Sequence, residues 1–338
     1  MKTILVTGGA GYIGSHTCVE LLQAGYRVVV IDSLITGCEK ALQRVQQISQ
    51  RDLLFVKADV RDRHATNAVF REFEIDAVIH FAGLKSVAES TANPDLYFEV
   101  NVNGSIALCE VMEKHGVKNL VFSSSATVYG ISSSDPIPET APKRPAQPYG
   151  ETKLAVEHYL QRLHQLDPSW NAACLRYFNP VGPHPSGLIG EDPGDTPNNL
   201  TPYITQVAIG KREELQVFGD DYDTHDGTGV RDYIHVMDLA RGHVRALDLL
   251  WDKRGVTTLN LGTGRPYSVL EVHAAFQRAV GREIPYQIAP RRDGDIAIYF
   301  ADAAKAEMEL DWRPSYDMDD MARDAWHWQR KNPNGYRD

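Results

Sequence analysis

At 338 residues the chain is long enough for one large or two modest domains, and 43% hydrophobic with 24% charged residues is the composition of an ordinary soluble globular protein. A formal charge of −10 and a pI near 5.6 exclude a general nucleic-acid binder, so an anionic ligand must be met by local arginines or helix ends. Cys18, Cys38, Cys109 and Cys174 are scattered, with no Cys-x-x-Cys pair and no clustered histidines, which argues against a metal site or a disulfide framework and for reduced thiols in the cytoplasm. Only Lys2 separates the first methionine from strand-like sequence, and no apolar run reaches membrane-span length, so neither a signal-peptide layout nor a membrane span is expected.

Thr3-Ile4-Leu5-Val6-Thr7 reads as a buried strand, and Gly8-x-x-Gly11-x-x-Gly14 follows before a helical pattern of Val19, Leu21 and Leu22. Between strand and helix such a loop lets backbone N–H groups approach a pyrophosphate, with the helix N-terminus supplying positive potential. A second strand, Arg27 to Ile31, ends at Asp32, eighteen residues after Gly14, where a ribose-binding carboxylate is expected. An acid there favours NAD over NADP, whose 2′-phosphate would meet its charge. A turn or N-cap aspartate ahead of Ser33 is the plain alternative.

Leu53 to Val56 with Asp59-Val60, Ala77 to Gly83, a helix from Asn101 to Glu113 and a strand ending at Ser125 continue the alternation. Continuous apolar strands alternating with helices predict an α/β fold, a Rossmann-type doubly wound parallel sheet, with a smaller mixed α/β substrate domain beyond it. Asp59 is placed near an adenine ring, and the small Ala82 and Gly83 where a cofactor passes close over the sheet. His80 reads as a packed strand residue.

From Ile131 to Pro148 the chain is rich in Ser and Pro, as a surface loop over a cleft would be. Pro148-Tyr149-Gly150-Glu151-Thr152-Lys153 then opens a helix on which Tyr149 and Lys153, four apart, share a face. A free phenol ionises near pH ~10, and a neighbouring cation favours the phenolate, which could accept a hydroxyl proton. Lowering it by about three units needs roughly 4 kcal/mol, more than one screened ammonium gives, so a second positive charge is wanted, such as an oxidised nicotinamide. A solvated aromatic over a lysine stem is the plain reading of the same spacing.

A strand from Ala172 to Arg176 leads to Tyr177-Phe178-Asn179, after which residues 183–202 become loop-like. The expected division is residues 1–180 for the dinucleotide-binding domain and 181–338 for the smaller one, with 232–263 returning to the first. Arg291-Arg292-Asp293-Gly294-Asp295 is a basic cluster that, with an arginine from another loop, could clamp a diphosphate.

Taken together, the glycine loop, Ser123-Ser124-Ser125-Ala126-Thr127-Val128-Tyr129-Gly130, Tyr149-x-x-x-Lys153, Arg176-Tyr177-Phe178-Asn179 and Val230-Arg231-Asp232-Tyr233-Ile234-His235-Val236 resemble the extended short-chain dehydrogenase/reductase family. His80-Phe81-Ala82-Gly83-Leu84-Lys85, Pro197-Asn198-Asn199-Leu200 and Trp326-His327-Trp328-Gln329 narrow the resemblance to its UDP-glucose 4-epimerase (UDP-galactose 4-epimerase) branch, from the first strand to the last helix. The resemblance implies reversible inversion at C4 of a UDP-hexose, interconverting UDP-glucose and UDP-galactose through a transient 4-keto sugar and NADH, in galactose metabolism. It makes Tyr149 the base, Lys153 the residue that lowers its pKa and holds the nicotinamide ribose, and Ser125 the hydroxyl on the sugar oxygen.

For the cofactor it implies Gly8, Gly11, Tyr12, Ile13, Gly14, Asp32, Ser33, Leu34, Thr36, Gly37, Asp59, Val60, Phe81, Ala82, Gly83, Lys85, Asn101, Ser125, Tyr149, Lys153, Tyr177 and Phe178 as NAD contacts. UDP-sugar contacts would be Lys85, Ser125, Ala126, Thr127, Tyr149, Phe178, Asn179, Asn199, Leu200, Gln216, Val217, Phe218, Arg231, Tyr233, Arg292, Asp295 and Tyr299. Val100, Ser33, Ile35 and Gly37 depart from the commoner residues of the branch. A bulky Tyr299 resembles members that exclude N-acetylated sugars. A homodimer is implied, with the helix around Ser105, Leu108 and Met112 and the Tyr149 helix packed on the partner. Two rivals remain: a nucleotide-sugar 4,6-dehydratase, whose usual Asp-Glu pair after the motif threonine is missing beyond Thr127, and a non-catalytic nucleotide sensor.

Overall fold

The computed structural model describes residues 1–132, 135–193, 197, 199–292 and 294–337; Asn198 and Asp293 of the motifs above lie outside them. The first half alternates β1 (Thr3–Thr7), α1 (Tyr12–Gln23), β2 (Arg27–Asp32), α2 (Glu39–Ser49), β3 (Leu54–Lys57), α3 (Arg63–Glu72), β4 (Ala77–His80), the short α4 (Val87–Ala92) and α5 (Pro94–Tyr97), a π-helical turn at Phe98–Asn103, α6 (Gly104–Lys114), β5 (Asn119–Ser125), α7 (Pro148–Leu166) and β6 (Asn171–Tyr177). The second half holds β7 (Asn179–Val181), α8 (Leu200–Ala208), β8 (Leu215–Phe218), β9 (Val230–His235), α9 (Val236–Asp252), β10 (Val256–Leu261), β11 (Pro266–Ser268), α10 (Val269–Val280), β12 (Tyr286–Ala289), β13 (Ile298–Tyr299), α11 (Ala304–Leu310) and α12 (Met318–Lys331).

Seven parallel strands form the large sheet in the order β10-β6-β5-β4-β1-β2-β3, a Rossmann-type α/β fold. Its central strands are buried along their whole length because helices cover both faces, with polar residues only at their ends: every residue of β1 and β4 is buried. One apolar layer joins Ile4, Val6 and Val30 to Leu21, Leu239 and Leu247; the other joins Leu5, Val29 and Val78 to Leu108, Val156 and Leu160. Each such aliphatic side chain contributes on the order of 1.5–3 kcal/mol by leaving water. β10 pairs with β6 from Val256↔Ala172 to Leu261↔Tyr177, so a strand from late in the chain closes the sheet.

Beside it lies a small sheet built on β9, which pairs with β7, β11 and β13. A separate pair, β8 with β12, completes the second half. Capping boxes at Ser268–Glu271 and Asp317–Asp320 start α10 and α12.

Ser105, Leu108 and Met112 are 2%, 0% and 0% exposed and face the chain's own core, so the outer face of α6, where Glu110 and Glu113 are exposed, is the one left to solvent. One expectation changes here. The helix expected from Asn101 starts instead with the π-helical turn, which leaves Asn101 buried.

Candidate active site

The glycine loop is shaped by backbone crowding. Gly8 sits at φ +71, and a side chain there would come within 2.7 Å of the Ala82 nitrogen; at Gly14 it would come within 2.3 Å of the Gly8 oxygen. Gly11 stands at the N-cap of α1 and no side chain caps the first turn, so its orphan N–H groups remain available to an anion. Asp32, 8% exposed, receives the Ala10 N–H on one oxygen (2.9 Å) and the Leu34 N–H on the other (2.8 Å). Burial raises its pKa, while those two hydrogen bonds oppose the rise. The carboxylate thus pins the loop to the end of β2 and keeps lone pairs for a ribose diol, and these residues fit a dinucleotide.

Other predicted cofactor positions divide between cleft and scaffold. Asp59 is gripped by Arg61, whose guanidinium donates to both oxygens at 2.7–3.1 Å and lowers its pKa. Gly83 is small for Asn101, whose Oδ1 would lie 2.9 Å from an added Cβ. Asn101 accepts from Leu84 N (2.7 Å) and donates to Leu84 O (3.0 Å) and Thr152 Oγ1 (3.1 Å), tethering the segment after β4 to α7. Val60 is core. Ser33, Leu34, Ile13 and Gly37 are half-buried and Thr36 is exposed. Tyr12 donates its hydroxyl to Gly182 O, tying α1 to the segment after β7.

At the end of β5 the three serines meet α7. Lys153 donates to Ser123 O (2.8 Å) and lies 5.8 Å from the centre of the Tyr149 ring. Ser125 hydrogen-bonds the Tyr149 hydroxyl, and Thr127 donates to Ser125 Oγ through its hydroxyl (2.9 Å) and its N–H (3.2 Å). The protein's own groups leave Tyr149 protonated: burial pushes it up to about 12, opposed by the Ser125 hydrogen bond. Lys153 is itself pushed down to about 8 by burial. Desolvation outweighs a lysine that is turned to the Ser123 carbonyl rather than to the phenol. His80 is a packed strand residue, bonded to Thr7 Oγ1 (2.6 Å) and Ser105 Oγ (2.9 Å) and pushed down to about 3 by burial and by the Lys153 charge.

The small sheet gathers predicted substrate residues by register. Asn179 pairs with Tyr233, and Tyr299 with Arg231. The Tyr299 hydroxyl donates to Ala126 O, and its ring lies 5.7 Å from Phe178, closing one wall over the serine motif. Lys85 bridges to Glu191 (3.0 Å), which also accepts from Asn199 (3.0 Å), so the segment after β4 meets the start of α8.

Arg231 and Arg292 are not a preformed fork. Arg231 donates to Val230 O (2.9 Å), while Arg292 pairs with Asp295 (2.9 Å) and covers the Phe218 ring at 4.9 Å. Gln216 donates to Glu214, but the Val217 and Tyr233 side chains belong to the second-half core, and Leu200 packs against it. Of all the predicted residues, only Tyr12 lines a cavity of about 650 Å³ between α8 and α12, and only Tyr233 one of about 240 Å³ beside Tyr267 and Tyr316.

The sequence model of the NAD dependent epimerase/dehydratase family matches residues 4–262. The chain belongs to that family. This epimerase/dehydratase-family chain is 58% identical over 334 residues to the UDP-glucose 4-epimerase of Bacillus subtilis, across 99% of this chain and 98% of the relative. It is 53% identical to that of Yersinia pestis over 336 residues, 99% of each chain. Among solved structures it superposes with a TM-score of 0.97 on the UDP-glucose 4-epimerase of Stenotrophomonas maltophila, crystallised with NAD and formylated UDP-arabinopyranose, at 55% identity over 98% of this chain and 99% of that one. The Bifidobacterium longum enzyme, in complex with NAD+ and UDP, gives 0.95 at 54% identity over 99% of this chain and 100% of that one.

Two residue sets escaped sequence reasoning. Asp232 is fully buried and accepts from Thr263 N and Oγ1, Gly264 N and Ala301 N, organising the loops around β9. Glu157 pairs with Arg176 beneath the serines, both side chains 1% exposed. The spacing Tyr149-x-x-x-Lys153-x-x-x-Glu157 could have flagged the second, since it continues the same helical face.

Proposed function

We propose that this chain catalyses the reversible 4-epimerisation of UDP-glucose and UDP-galactose through a transient 4-keto sugar, using bound NAD, as a cytoplasmic homodimer serving galactose metabolism. The observation that carries the reading is the convergence of Ser125, Tyr149 and Lys153 at the carboxyl edge of the large sheet, in a chain 58% identical to a UDP-glucose 4-epimerase. NAD, when bound, supplies a reversible hydride acceptor beside C4. Tyr149 takes the proton of the 4-hydroxyl and later returns one, with Ser125 orienting the oxygen and Lys153 supplying positive charge.

Inversion requires the sugar to present its other face while UDP stays anchored. Arg231 and Arg292 hold the diphosphate through charge-assisted hydrogen bonds, and Asn179, Asn199, Leu200, Phe218 and Asp295 seat the nucleotide. Gly8 to Gly14, Asp32 to Gly37, Asp59 and Phe81 to Lys85 hold the dinucleotide. Tyr299 narrows the hexose space and disfavours N-acetylated sugars. Dimerisation is supported by exposed apolar Leu96 and Phe98, 44% and 38% exposed, on segments that pack beside α7.

Incubation of purified protein with UDP-galactose, without added nucleotide, should yield UDP-glucose. Absence of conversion both with and without supplied NAD would remove the epimerase reading.

A further inference from the structure

Beneath the reacting groups, each of the three serines ending β5 is engaged by a different residue of one face of α7. Ser125 meets Tyr149, the Ser123 carbonyl meets Lys153, and the Ser124 hydroxyl donates to Glu157 Oε1 at 2.6 Å. Glu157 also accepts from Arg176 Nε on Oε1 (2.9 Å) and from its terminal nitrogen on Oε2 (2.6 Å). The remaining arm of Arg176 donates to the Tyr129 hydroxyl (2.8 Å), which donates to Asn260 Oδ1 (2.6 Å). Asn260 in turn donates to Ile137 O (2.9 Å), and Ile137 N donates to Phe300 O (3.0 Å), the residue after Tyr299. An unbroken chain of buried polar contacts thus runs from the helix of the base to the wall over the hexose.

We propose that Glu157 is a positioning residue for the C4 chemistry: held by Arg176 and Ser124, its carboxylate sets the depth and rotation of α7 against β5, so that Tyr149 and Ser125 face one sugar oxygen. An ion pair this buried is a poor source of net stability against an apolar replacement, whereas its geometry is stiff in every direction. Loss of the Ser124 bond leaves the pair intact and frees one contact between strand and helix. Loss of the carboxylate leaves Arg176 uncompensated.

The inference rests on the epimerase reading, and the test separates the two. Ser124→Ala should lower kcat for UDP-galactose about tenfold, the kinetic equivalent of one buried hydrogen bond, with KM unchanged within about twofold. Amide exchange in residues 152–157 should quicken while that of α12 stays as in the parent. Glu157→Gln should lower kcat further, provided it folds; Ser124→Ala carries the test if it does not. Inactive parent protein would sink the epimerase reading itself. An active parent with a Ser124→Ala variant of equal kcat, or one whose loss lies wholly in KM, would overturn the positioning role of Glu157.

Discussion

Tyr149 carries the sharpest energetic question, because burial moves it the wrong way for a base. With its pKa pushed up to about 12, the protein's own groups leave the phenol protonated at neutral pH, and positive charge must bring it down. Lys153, pushed down to about 8, keeps that charge below about pH 8 and loses it above. The kcat profile should therefore fall on the alkaline side, and Lys153→Arg should abolish that fall although its maximum is lower; a parent profile flat to pH 10 would contradict this. Tyr149→Phe should cost on the order of 10²–10⁴ in kcat with little change in thermal midpoint. Tyr299→Ala removes the ring packed against Phe178 and should raise the rate with UDP-N-acetylgalactosamine relative to UDP-galactose, measured in parallel.

At the scale of elements, strands and loops that run locally were legible: the glycine loop, Asp32 ending β2, the serines ending β5 and the start of α7 at Pro148 all follow from neighbours in sequence. Contacts between distant segments were not. The helical spacing points to Glu157, but no local pattern shows that Arg176 reaches it, or that Asn101 tethers Leu84. Which way the Ser105, Leu108 and Met112 stripe points was not legible either, because an apolar helical stripe reads alike whether it meets a partner or its own sheet. The Gly14 contact gives a test at this scale. With 2.3 Å to the Gly8 oxygen, Gly14→Ala should cost about 1–3 kcal/mol by overpacking and weaken NAD retention, read by thermal unfolding with and without the dinucleotide.

For the whole molecule, three buried histidines set the acid limit. His16 and His80 are pushed down to about 3 and His243 to about 4, each mainly by burial. Their folded pKa values lie below the unfolded 6.5, so the unfolded chain binds more protons as pH falls below 6.5, and stability is lost in that direction. Each contributes a loss of up to about 1.4 kcal/mol by pH 5.5. Unfolding midpoints in denaturant should drop between pH 7.5 and 5.5, and less so in His243→Gln. A midpoint constant over that range would refute the assignment.

The place of β10 has a consequence for how the chain is made. The strand that finishes the large sheet leaves the ribosome only after β7, β8 and β9 have been synthesised. Until then the β6 edge stands bare, with its hydrogen-bonding groups open to any passing strand. Nascent chains cut short before Val256 should aggregate or bind chaperones, whereas those extended past Leu261 pair the β6 edge with their own β10.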